Sequence, residues 1–130
     1  MTSRIIPKNP VFCAIDTPVL DAADKLAADL GGAAGGIKLG KEFFTAHGPT
    51  GIKQTRDAGG VPLFLDLKFH DIPNTVAGAV RIACAMNPYM MTIHASGGPA
   101  MIRAAAEAAT EGAGANNMAR PQIIAVTVLT

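Results

Sequence analysis

The strongest constraint on the fold is a repeat: short apolar runs rich in β-branched residues alternate with segments whose apolar residues recur at helical spacing. Runs begin near residues 11, 36, 61, 89 and 122. Val11 to Ile15 reads as a buried strand ending at Asp16, and Thr17 and Pro18 then open a helix that buries Leu20, Ala23, Ala27 and Leu30 and stops at Gly31 and Gly32. Gly36 to Leu39 is a brief strand carrying Lys38, followed by a loop, a helix from about Pro49 and a stop at Gly59 and Gly60. Val61 to Lys68 is the third strand. Asn74 and Thr75 are expected to cap a helix whose face runs through Val76, Ala79, Val80 and Ala83 and which ends near Asn87 and Pro88. Tyr89 to His94 is the fourth strand. Ser96 and the glycines after it lead into an Ala-rich helix with Ile102, Ala105, Ala106 and Ala109 on one face. Gly112 to Arg120 is then expected to be a polar loop, and Gln122 to Leu129 the fifth strand.

Strands apolar on both faces and separated by helices call for a parallel sheet wrapped by helices. Two architectures satisfy this, an open doubly wound sheet and a closed barrel. The repeat of about 25 to 33 residues matches the roughly 30 per unit of a (β/α)8 TIM barrel of about 250 residues. The 130 residues are therefore expected to be the N-terminal portion of a single barrel domain, about its first five strands and four helices, with the C-terminal part absent.

Composition narrows the function. Charged residues make up 16% of the chain with a formal net charge of +1, which excludes a disordered tail and a polybasic module for nucleic acid or a membrane surface. No stretch approaches the roughly 18 apolar residues of a membrane span, and the first ten residues lack a signal-peptide core. A soluble cytoplasmic protein is expected. Cys13 and Cys84 stand far apart in apolar surroundings with no metal-ligand spacing and are expected to be buried thiols.

Against this apolar background, Asp16, Lys38, Asp66, Lys68, His94 and Thr130 fall at the carboxyl ends of the expected strands, where parallel α/β folds build active sites. In the third strand Phe64, Asp66 and Lys68 share one face by the two-residue period, and Leu63, Leu65 and Leu67 share the other. Asp66 and Lys68 as a simple ion pair, with Asp71 a loop residue, is the structural alternative. A lysine held between the carboxylates of Asp66 and Asp71 stays protonated at neutral pH, so it serves poorly as a base. It serves well as an ammonium that stabilises a developing carbanion and then protonates it, which fits a decarboxylation or enolate-type reaction. His94 reads more simply as a hydrogen-bonded structural residue, and Ser96-Gly97-Gly98 as either an anion cradle or a cap and turn. His47 and His70 belong to no constellation of their own.

The run Phe64-Leu65-Asp66-Leu67-Lys68-Phe69-His70-Asp71-Ile72-Pro73-Asn74-Thr75 closely resembles the signature of the orotidine 5′-monophosphate decarboxylases. The segments Ala14 to Asp16, Ile37 to Glu42, Ile93 to Gly98 and Val126 to Thr130 resemble that family's other strand ends, in its order. The resemblance implies that Lys68 protonates the carbanion left at the pyrimidine ring and that Asp66 lies beside the departing carboxylate. It also implies that Asp16, Lys38, Thr130 and the stretch Asp66, Leu67, Lys68, Phe69, His70, Asp71, Ile72, Pro73, Asn74 and Thr75 line the site for orotidine 5′-monophosphate and its product uridine 5′-monophosphate. Asp71 and Thr75 would reach into a second subunit's site, which implies a homodimer. No metal and no organic cofactor is implied.

Magnesium-dependent sugar-phosphate decarboxylases and aldol enzymes of the same suprafamily share the Asp-x-Lys-x-x-Asp pattern but place a metal-binding glutamate where this chain has Lys38, and an ammonium cannot ligate magnesium. The family's phosphate-gripping elements, a mobile loop and a Gly-x-Arg segment, come later in the chain than Thr130. A different class of reading is a non-catalytic protein that binds a nucleotide or a partner through an exposed sheet edge. Turnover of orotidylate separates the two.

Overall fold

In the computed structural model, which describes residues 4–130, the chain forms five strands and four α-helices in strict alternation. The first three residues of the expected 1–130 domain lie outside the described part. The elements are β1 (Phe12–Ala14), α1 (Leu20–Leu30), β2 (Gly36–Gly40), α2 (Lys41–Gly59), β3 (Leu63–Phe69), α3 (Pro73–Ala83), β4 (Met90–His94), α4 (Pro99–Ala115) and β5 (Gln122–Val126). The chain divides into two units, residues 5–66 and residues 67–130 with Arg4. β3 contributes to both. Strand order follows the sequence, β1-β2-β3 in the first unit and β3-β4-β5 in the second.

In the first unit β1, β2 and β3 pair in parallel, with Phe12 opposite Gly36 and Ile37 opposite Leu63. Leu63 and Leu65 point to one side of β3 and are almost wholly buried, with Ile37, Leu39, Phe43 and Ile52 beside them in the core. Each such side chain contributes about 1.5–3 kcal/mol relative to exposure. Phe12 meets Phe64 edge to face at 6.2 Å between ring centres. A close approach of backbone at Gly36 explains the glycine there, because a Cβ would collide with the Phe12 ring and the Pro62 carbonyl. The helices α1 and α2 are tied by Asp24, whose carboxylate accepts from Gln54 Nε2 over 2.6 Å and from Thr55 Oγ1 over 2.5 Å.

Several expected boundaries move. β1 is shorter than Val11 to Ile15 and only half-buried, with Val11 exposed and Ile15 in the core. Thr17 does not cap α1: its Oγ1 accepts from the Val19 amide, and the helix starts at Leu20, two residues later than expected. The expected loop before Pro49 is helical from Lys41, and Gly48 with φ 60° and ψ −164° breaks α2 into two pieces just ahead of Pro49. The missing amide of a proline is harmless at the start of the second piece. Gly60, with φ 60°, ends the helix in the left-handed conformation that glycine adopts without strain.

In the second unit β4 and β5 pair in parallel, with His94 opposite Val126. α3 starts at Pro73 rather than at an Asn74 or Thr75 cap, because a proline suits the first helical position. It buries Val76, Ala77, Val80 and Ala83, leaving Ala79 half-buried, and packs against α4. α4 buries Met101, Ala105, Ala108, Ala109, Gly112 and Ala113, so its inner face is rotated from the expected one and Ile102 and Ala106 lie on its margin. The expected loop from Gly112 is helical to Ala115: Gly112 is a packing position, since a Cβ there would sit 2.8 Å from Cys84 Sγ and 3.0 Å from the Arg81 carbonyl. β5 ends at Val126 instead of Leu129, and Gln122, Ile124 and Ala125 are exposed, so it is not buried on both faces. Cys84 is buried but Cys13 is only half-buried. Arg4 reaches Tyr89, donating to its carbonyl over 2.9 Å and lying 4.2 Å from its ring centre. Among the described residues no helix is long and apolar enough to cross a membrane.

Candidate active site

In residues 5–66 the parallel register places Lys38 opposite Phe64 and Gly40 opposite Asp66, so the two charged side chains emerge on neighbouring strands near their carboxyl ends. Lys38 Nζ donates to Asp66 Oδ2 over 3.2 Å and lies 6.0 Å from the Phe64 ring centre. The pair is asymmetric: the Asp66 side chain is 9% exposed and that of Lys38 34%. Burying a carboxylate is costly without a compensating charge or donor, and Lys38 supplies one. Sequence reasoning missed this pairing. The signal that exposes it is the strand register, which is not fixed until the helix between the strands has been measured. Asp16 stands two residues past β1 and is exposed.

In residues 67–130 Lys68 is half-buried near the end of β3, with a backbone φ of 50°. The other described non-glycine residues at positive φ are Asn87 and Asn117, a residue type that tolerates this region, whereas lysine seldom enters it. The two-residue alternation of β3 therefore holds from Leu63 to Leu67 and is turned at Lys68. Its amide donates to the hydroxyl of Thr92 on β4 over 2.9 Å. Phe69 is half-buried, while His70, Asp71, Ile72, Pro73, Asn74 and Thr75 are exposed. Asp71 Oδ1 accepts from the Ile72 amide over 2.6 Å.

The His70 and His94 rings lie 4.9 Å apart between centres, tilted by 35°, which gives both histidines a neighbour that spacing did not suggest. An open depression of about 610 Å³ is lined by His70, Asp71, Ile72, Pro73, Ser96 and Gly97. Ser96 does not cap α4: Ala95 to Gly97 form a 3-10 turn, and Gly98 with φ 89° is the residue that enters the helix. Thr130 is exposed and stands four residues beyond β5, not at the strand's end. Asp66 is the last residue of the first unit and Lys68 stands in the second.

Parallel strands in sequence order, a helix after each of the first four, and charges held at their carboxyl ends define an α/β protein of the (β/α) barrel type. The family model described as orotidine 5′-phosphate decarboxylase / HUMPS matches residues 9–130, and the chain belongs to that family. It is 58% identical over 123 residues to an orotidine 5′-phosphate decarboxylase from Rhodospirillum rubrum, covering 95% of this chain and 50% of the relative. It is 52% identical over 122 residues to one from Paramagnetospirillum magneticum, covering 94% and 52%. The crystal structure of the Lactobacillus acidophilus orotidine 5′-phosphate decarboxylase matches with a TM-score of 0.80 at 34% identity, over 95% of this chain and 55% of that one. The chain spans about half the length of the curated relatives it matches.

Proposed function

We propose that this chain carries the catalytic strand ends of an enzyme that decarboxylates orotidine 5′-monophosphate to uridine 5′-monophosphate, and that residues 1–130 are the front portion of one (β/α)8 barrel. The observation that carries the reading is Lys68, a lysine in a left-handed backbone conformation within the run Asp66 to Thr75. Strained backbone at a charged strand end is characteristic of functional positions. When the bond from the pyrimidine ring to its carboxylate breaks, carbon dioxide leaves and its electron pair stays on the ring carbon. Lys68 gives that carbon a proton, and solvent reprotonates the amine. Asp66 faces the departing carboxylate, Lys38 donates a hydrogen bond to Asp66, and Asp16, Leu67, Phe69, His70, Ile72, Pro73, Asn74 and Thr130 line the nucleotide. The enzyme is a carbon-carbon lyase of pyrimidine biosynthesis that needs no cofactor, because positioning and fixed charge do the work.

The magnesium-dependent reading is disfavoured by Lys38, which stands where those enzymes place a metal-binding glutamate and whose ammonium cannot ligate magnesium. A homodimer that shares its two sites through Asp71 and Thr75 is part of the proposal. It is supported by the exposure of both residues and of Ile72 between them, an apolar side chain 67% exposed.

Orotidylate consumption by the protein expressed from its own gene is the test. Lys68→Ala is expected to lower turnover by at least about 100-fold, and unchanged activity refutes the reading. Mixing Lys68→Ala subunits with Asp71→Asn subunits is expected to restore activity that neither has alone, since one site of the mixed dimer is then intact. No restoration in a confirmed mixed dimer refutes the shared site.

A further inference from the structure

We infer that Thr92 is a positioning residue for Lys68. A lysine held at φ 50° needs something to hold it, because residues with a Cβ leave this conformation unless their surroundings fix it. The Thr92 hydroxyl, accepting from the Lys68 amide over 2.9 Å, is a restraint at the atom that defines that torsion. Thr92 is well suited to the task. It sits inside β4 at 3% exposure, and its β-branched side chain has few rotamers.

The consequence concerns direction. In an extended strand the Lys68 side chain would continue the alternation of Phe64 and Asp66, whereas a left-handed residue sends its Cα–Cβ bond elsewhere. Thr92 thus sets the line along which the ammonium leaves the strand, without touching the reacting atoms. Valine has the same shape and no acceptor, and serine keeps the acceptor while losing the methyl.

The activity readout rests on the decarboxylase reading, so a second readout independent of turnover accompanies it. Thr92→Val is expected to lower kcat by about 10- to 100-fold with KM within about twofold of wild type, and Thr92→Ser to keep kcat within about threefold. A purely structural role predicts instead that the folded fraction of Thr92→Val has wild-type kcat, and that result overturns the inference. In NMR spectra the Lys68 amide of the unsubstituted protein is expected to exchange slowly with solvent, and its coupling and carbon shifts to report a left-handed residue. Fast exchange or an extended signature overturns the inference, even if Thr92→Val fails to fold. A wild-type protein that consumes no orotidylate refutes the functional reading alone, and the change of the residue 68 signature in Thr92→Val then decides the positioning role.

Discussion

Replacing Lys38 by methionine removes the ammonium that donates to Asp66 Oδ2 while keeping much of the apolar stem. At 3.2 Å the Coulomb energy is about 5 kcal/mol at an effective dielectric of about 20 and about 1 kcal/mol in bulk water. Lys38 is one-third exposed and Asp66 scarcely at all, so the pair lies between these limits, and the cost of dehydrating the carboxylate offsets part of the attraction. Asp66 also takes part in a further interaction. A coupling of about 1–2 kcal/mol is expected from a double-mutant cycle of Lys38→Met, Asp66→Asn and the double variant. The chain has no tryptophan, so urea unfolding is best followed by far-ultraviolet circular dichroism. Arg81 and Glu111 provide an internal comparison, 2.9 Å apart but 42% and 60% exposed, with an expected coupling of about 0–0.5 kcal/mol that salt removes. A Lys38–Asp66 coupling no larger than that of the surface pair refutes the claim that burial strengthens it.

Gly112→Ala should lower stability by about 0.5–2 kcal/mol in thermal unfolding, since the collision with Cys84 and the Arg81 carbonyl outweighs the gain in helix propensity of about 1 kcal/mol. An unchanged or higher Tm refutes the packing role. Lys68→Gly should be more stable than Lys68→Ala by about 1 kcal/mol, because only glycine adopts φ 50° freely, and equal stabilities would contradict a strained residue 68. Burial pushes the Cys84 thiol up from its ordinary 9.0, so the unfolded chain gives up this proton first as pH rises. Stability is then unaffected by Cys84 below about pH 9 and falls above it, a decline that should be smaller in Cys84→Ala. In thiol labelling of the native protein near neutral pH, half-buried Cys13 should react before Cys84, and the reverse order refutes the burial argument.

The alternation of strands and helices was legible because buried parallel strands demand continuous apolar runs, as at Leu63 to Leu67. The start of α2 was not, since Gly48 and Pro49 read as a beginning when they mark a break within a helix. Gly112 read as a stop for the complementary reason: a glycine that makes room for Cys84 is indistinguishable in sequence from one that ends a helix. Asp66 and Lys68 stood out in the sequence because charge in an apolar strand is costly. The partner of Asp66 was hidden, as Lys38 lies 28 residues away and only register joins them. The φ of Lys68 and its bond to Thr92 leave no trace in residue type or spacing.

Strand order that follows sequence order has a consequence for how the protein is made. Residues 5–66 contain β1, α1, β2, α2 and the first part of β3 with their own core, and every strand pairing within them is to the strand just synthesised or the one to come. Closing each pairing costs only the entropy of one intervening helix, a loop of two dozen residues or so. As the chain leaves the ribosome, this unit can collapse before β4 exists. The β3 edge of that unit stays unpaired until β4 is made, so the time in which it can pair with another chain is set by the rate of synthesis.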